Sequence, residues 1–242
     1  MANSGSIGII RDVENFLTDD IGSAGDGVKW VVSSDSSDTA FVRAVAAGKG
    51  MHCAGALTTT DNNMIELCSD VLHVYGQDGY NALEVLFQVD VATDLAINIG
   101  FNDDSLDGGN TLPVELATAT WTTTSSTFVG LAFDVDATND DWHCMWVDDD
   151  ADAALADLRM TGATLTASKW VMARVAIQDR GSGKGVRATF TISQDGKSFE
   201  KVFDTSVDRD CALCPYIGFE NRAATAHNVY IKYIIQEQSI AD

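Results

Sequence analysis

Basic residues and proline are both scarce in this 242-residue chain: 15 Lys and Arg stand against 36 Asp and Glu, and only Pro113 and Pro215 are present. The resulting net charge of −21 repels phosphate backbones and anionic lipid surfaces, which argues against a nucleic-acid or membrane partner. The near-absence of proline, with no Pro-rich or repetitive stretch, argues against a stiff interdomain hinge. Long apolar runs are missing too, and none approaches the ~20 residues that a helix needs to cross a bilayer. Residues 1–8 lack the basic start and apolar stretch of a secretory leader, and no Asn-x-Ser/Thr acceptor occurs anywhere. Cys53, Cys68, Cys144, Cys211 and Cys214 are odd in number and irregular in spacing, unlike a disulfide framework. These features set the expectation of reduced thiols in a protein made in a cytoplasm.

Motifs for catalysis are equally sparse. There is no Gly-x-Ser-x-Gly elbow, phosphate loop, dinucleotide fingerprint or second Cys-x-x-Cys to complete a zinc site around Cys211 and Cys214. Each of the four histidines, His52, His73, His143 and His227, falls in or beside an expected strand and is read as a sandwich residue. The expectation is a protein that is not an enzyme.

What the sequence does contain is strand periodicity. Leu83, Val85, Phe87, Val89 and Val91 alternate with mostly polar or small residues, and Val129, Leu131, Phe133 and Val135 repeat the pattern. Val171 to Ile177, Val186 to Ile192 and Val229 to Ile235 do the same. Asp195-Gly196 marks a tight hairpin between two of these segments, because such turns require positive φ. Shorter strands are expected at 28–33, 40–47, 52–57, 64–68, 71–75, 95–101, 142–147 and 215–220. With no βαβ alternation, the fold class is all-β, an antiparallel β-sandwich, and a chain this long buries about 70% of its unfolded surface.

Two segments break the pattern. Ile9, Ile10, Val13, Phe16 and Leu17 follow i, i+1, i+4, i+7, i+8 spacing, which predicts a short amphipathic helix in an N-terminal arm over residues 1–27. Residues 28–242 form the sandwich. The Ala-rich stretch from Asp152 to Met160 predicts one or two helical turns capped by Asp152.

Three groups of residues are candidates for binding. The arm residues Ile9, Ile10, Val13, Phe16 and Leu17 would form a docking or subunit contact. Trp121 and Trp142 could serve as a sugar platform, since aromatic faces stack on apolar ring surfaces. Asp103, Ser105 and Asp107, followed by Gly108, resemble the opening of a calcium loop, although its twelfth position is Val114, with Glu115 one place late. Calcium is therefore the one metal considered, and no other cofactor is expected.

The strings Phe128–Asp136 with Trp142, Lys169–Arg174, Thr189-Phe190-Thr191, Pro215–Arg222 and Val229–Ile234 resemble the strands of concanavalin A-like (laminin G-like) jelly-roll domains. Their flavour is similar to such domains in virion proteins of tailed bacteriophages, the head decoration proteins and fibres. The likeness spans roughly residues 80–238, and neither the metal ligands of legume lectins nor the Glu-x-Asp-x-x-Glu string of laminarinase-like hydrolases can be matched. The resemblance implies a jelly roll and a structural protein of the virion, a capsid decoration or cement protein. Its partner would be the major capsid protein or another virion protein, and it would form a homo-oligomer, a trimer by analogy. The alternative it implies is a carbohydrate-binding, lectin-like module of a phage fibre or surface protein.

Overall fold

A computed structural model of the chain describes residues 9–17, 21–22, 28–35, 37–69, 74–75, 79–104, 111–148 and 155–239. All regular structure among these is β. In chain order the strands are β1 (Ile9–Glu14), β2 (Ile21–Gly22), β3 (Trp30–Ser34), β4 (Thr39–Ala46), β5 (Gly50–Leu57), β6 (Met64–Ser69) and β7 (Val74–Tyr75). There follow β8 (Tyr80–Val89), β9 (Leu95–Asn102), β10 (Val114–Ala117), β11 (Thr120–Thr123), β12 (Phe128–Asp134) and β13 (Asp141–Val147). The chain ends with β14 (Ala156–Thr164), β15 (Val171–Asp179), β16 (Val186–Gln194), β17 (Lys197–Asp204), β18 (Ala212–Asn221) and β19 (His227–Ser239).

Two sheets carry nearly all of these strands. One runs β17-β16-β15-β8-β19-β5-β4, with β1 also on β19; the other runs β14-β13-β12-β9-β18-β6-β3-β2, with β7 also on β18. Pairing is antiparallel except for the short parallel β2–β3 contact. Their inner faces pack together because alternate residues are apolar: Leu83, Val85, Phe87 and Val89 from β8 meet Leu95, Ile97, Ile99 and Phe101 from β9 in one core. Phe87 lies edge-on to Phe219 at 5.6 Å and to Trp142 at 6.1 Å, so aromatic rings fill the centre. The architecture is the expected all-β sandwich.

Local chemistry explains several details. Asp195 and Gly196 both have positive φ (51° and 75°) and join β16 to β17, as their sequence requires. Pro215 sits inside the central strand β18 at the seam where one neighbour, β7, ends at Leu213 and the next, β6, begins at Tyr216. On that side no ladder is interrupted by the missing N–H.

Both helix expectations are corrected. Ile9–Glu14 is a strand paired antiparallel with the C-terminal half of β19, from Ile9↔Ser239 to Glu14↔Ile234. The long β19 would otherwise leave its backbone unpaired beyond β5, and a continuous ladder outweighs the weak preference of so short a helix. Residues 156–160 of the second segment belong to β14, an edge strand on β13; Asp152 itself lies outside the described residues.

Candidate functional site

The outer face of the nine-stranded sheet carries a hairpin, β10–β11, that belongs to neither sheet. The sheet below is shaped to receive it. Outward Ala96, Ala132 and Gly218 of β9, β12 and β18 are small, and Val114 packs on Ala132 while Leu112 packs on Ala96 and Gly218. At Gly218 a Cβ would come within 2.7 Å of the Leu112 side chain, so the glycine is needed for the hairpin to sit down. The Val114 N–H donates to Asn98 Oδ1 at 2.9 Å, fixing the hairpin to β9.

Beneath it lies a buried charged group. Arg222 donates from Nε and Nη2 to Asp134 Oδ2 (2.9 and 2.6 Å) and from Nη1 to Glu220 Oε1 (2.6 Å). Burial pushes Glu220 up to about 9; Arg222 opposes this, while the nearby Glu115 and Asp134 carboxylates add to it. Burial also lifts Asp134, against the pull of Arg222 and the Asp136 N–H. For Arg222, burial disfavours the charge, but the facing Glu220 and Asp134 carboxylates hold its pKa above the ordinary value. One arginine cannot neutralise two carboxylates and Glu115 as well, so Glu220 keeps its proton.

Beside the hairpin a groove of about 370 Å³ opens over β13 and β14. Trp121 and the hairpin tip form one wall, the Asp136–Asn139 loop closes an end, and His143, Asp157 and Arg159 form the floor. The Trp121 and His143 rings lie 5.1 Å apart, tilted by 51°. Asp157 pairs with His143 Nδ1, and Arg159 Nε reaches Asp141 Oδ2 at 3.2 Å. His143 is only 7% exposed, and its Nε2 is buried without a partner. With Nδ1 taken by Asp157, Nε2 is the ring nitrogen left for the polar group of a ligand. The groove therefore offers an aromatic face, an unpartnered ring nitrogen, carboxylates and a guanidinium within one small space, a combination suited to a hydroxyl-rich ligand.

The residues singled out from sequence distribute unevenly. Trp121 lines this groove. Trp142 does not: it is 0% exposed, packed against Phe87 and Phe133 in the core, and cannot meet a ligand. It points inward because β13 alternates, which sends the adjacent His143 outward. In β1 and just after it, Ile9, Ile10, Val13 and Leu17 are half exposed or more, whereas Phe16, at φ 60°, turns into the core. Asp103 is partly buried, its amide donates to Thr127 O at 3.1 Å, and burial lifts its carboxyl against the backbone hydrogen bond that the carboxyl accepts from Thr127. Ser105, Asp107 and His73 lie outside the described residues. Among the described residues no three His, Cys, Asp or Glu side chains are placed to hold a metal. Burial, reinforced by nearby carboxylates, pushes the Cys211 and Cys214 thiols up to about 11 and about 12, the opposite of a thiolate site. Sequence reasoning misses the groove positions of His143, Asp157, Arg159 and the Asp136–Asn139 loop. The only signal for His143 is its position next to an inward tryptophan on an alternating strand.

No family model matches the chain, and no curated protein matches it. Solved structures do. A protein of unknown function from Shewanella oneidensis MR-1 superposes with a TM-score of 0.61 at 13% identity, covering 100% of this chain and 91% of its own. Peanut lectin gives 0.58 at 10% identity (95% and 97% covered), and a family 16 glycoside hydrolase endo-glucanase from Bacteroides ovatus gives 0.58 at 10% (92% and 98% covered). At such identities the likeness defines the fold alone: a legume-lectin-like, concanavalin A-like jelly roll, on which both lectins and a hydrolase are built.

Proposed function

We propose that this protein is a lectin-like module that binds carbohydrate, without cleaving it, in the groove between Trp121 and β14. The observation that carries the reading is His143 Nε2, a buried ring nitrogen with no protein partner beside an aromatic face. An unpartnered buried polar atom costs about 1–3 kcal/mol, a cost that a ligand hydroxyl would relieve. The non-catalytic reading is supported by the engagement of the nearby carboxylates, since Asp157 is paired with His143 and Asp141 with Arg159. Hydrolysis of a glycoside requires two carboxylates free to face each other across the bond. Titration of neutral glycans followed by tryptophan fluorescence and calorimetry tests the proposal. Binding should be lost in Trp121→Ala and weakened by about 1–3 kcal/mol in His143→Ala; a flat response across a broad panel sinks it.

A second reading, a structural protein of a virion that decorates a phage capsid, is favoured by a different observation. Ile9, Ile10, Val13 and Leu17 expose 55%, 57%, 50% and 62% of their surface, and Val13 and Leu17 together line an apolar depression with Met51, Tyr233 and Ile235. A cluster of this kind suits docking on a partner such as the major capsid protein, or on a second and third copy of the chain. Light scattering with wild type and the double variant Val13→Ser/Leu17→Ser tests it. An oligomer or particle-bound state that the variant disrupts supports the reading, and a wild-type monomer that binds no particle removes it.

A further inference from the structure

Beyond walling the groove, the hairpin limits what can enter it, a role that rests on the groove being a carbohydrate site. It lies across the middle of the sheet face, and its side chains fill that face. Val114 packs with Phe128, Ala132, Met145 and Val147, and Leu112 packs with Met64 and Ala96. These contacts are apolar, and the hairpin is tied down by the Asn98 bond. A ligand in the groove therefore meets the hairpin on one side and the Asp136–Asn139 loop at the end. A glycan chain entering from β14 cannot continue across the sheet.

Charge narrows the class further. Asp136 and Asp157 line the groove against a single guanidinium, Arg159, which is shared with Asp141, and the whole chain carries −21. A carboxylated or sulfated sugar would be repelled both at long range and on contact. We infer that the groove recognises the terminal unit of a neutral glycan, and that the β10–β11 hairpin is the stop that excludes internal segments of a chain.

The test uses the full chain and neutral gluco-, manno- and galacto-oligosaccharides from the monomer to the hexamer, together with uronic acid counterparts and one polymer before and after partial cleavage. The expected result is an affinity that stops rising beyond the first two units, with polymer binding sites increasing in proportion to chain ends. Uronic acids should bind more weakly by about tenfold or more. Ala119→Trp at the exposed hairpin tip should block binding while leaving thermal unfolding unchanged. Affinity that climbs about tenfold or more from dimer to hexamer, or polymer sites that scale with mass, overturns the terminal reading while leaving carbohydrate binding intact. Tight uronic acid binding overturns the neutral-ligand part, and no binding of any sugar overturns the groove as a carbohydrate site altogether.

Discussion

Arg222 and Asp134 form the most deeply buried ion pair among the described residues: the carboxylate is fully inaccessible, and the guanidinium reaches a single oxygen through two nitrogens at 2.9 and 2.6 Å. The pair joins the end of β12 to the residue after β18, directly under the hairpin. Removing one partner leaves a charge stranded in a dry site. Arg222→Met is expected to lower unfolding free energy by about 3–5 kcal/mol in urea titrations. Asp134→Asn/Arg222→Met should recover much of that loss; a double variant no more stable than the single one would show that the damage lies in packing rather than charge.

Glu220 makes stability depend on pH in a direction opposite to most carboxylates. Its folded pKa of about 9 lies above the ordinary 4.5, so the stabilisation it contributes is complete below 4.5. That contribution then fades as the pH rises through about 9, because the unfolded chain gives up a proton that the folded chain retains. Glu220→Gln removes the titration while keeping the size of the side chain. Between pH 5 and pH 9 (about the window set by these two values) wild type should lose stability relative to Glu220→Gln. Parallel pH profiles of the urea midpoint would refute the raised Glu220 pKa.

The two candidate tryptophans should separate cleanly. Trp142→Ala empties a site among Phe87 and Phe133, and is expected to cost about 3–5 kcal/mol. Trp121 is only partly buried, on the hairpin beside His143, so Trp121→Ala should cost far less stability and instead abolish glycan-dependent fluorescence changes. Equal losses of stability in the two variants would contradict the placement of Trp121 at an open groove.

Much of the sandwich is readable in the sequence because β8, β15, β16 and β19 each bury mainly one face, and burial on one face writes a period of two into the chain. The Asp195-Gly196 turn is readable because few residue pairs tolerate its backbone. The groove is not, since Trp121, His143, Asp157 and the Asp136–Asn139 loop meet only through the pairing of β12, β13 and β14 and the fold-over of the hairpin. Buried carboxylates such as Asp134 and Glu220 look like surface residues in a sequence this acidic. The N-terminal difference has another source: the spacing of Ile9 to Leu17 fits a helix, but the backbone of β19 offers a ladder that local propensity cannot detect.

That ladder gives the last prediction. If residues 9–17 were an amphipathic helix, Phe16 and Leu17 would lie on the same apolar face and matter alike. In the structure β1 ends at Glu14, whose side-chain carboxylate accepts the Phe16 N–H. Phe16 then turns through positive φ into the core, and Leu17 is left 62% exposed. Phe16→Ala should therefore cost about 3–5 kcal/mol, whereas Leu17→Ala should stay within about 0.5 kcal/mol of wild type. Urea denaturation of the two variants decides the matter. Similar losses would restore the helical face, and the expected disparity would make Phe16 the anchor of the N-terminal strand, leaving Leu17 and Val13 free for a partner.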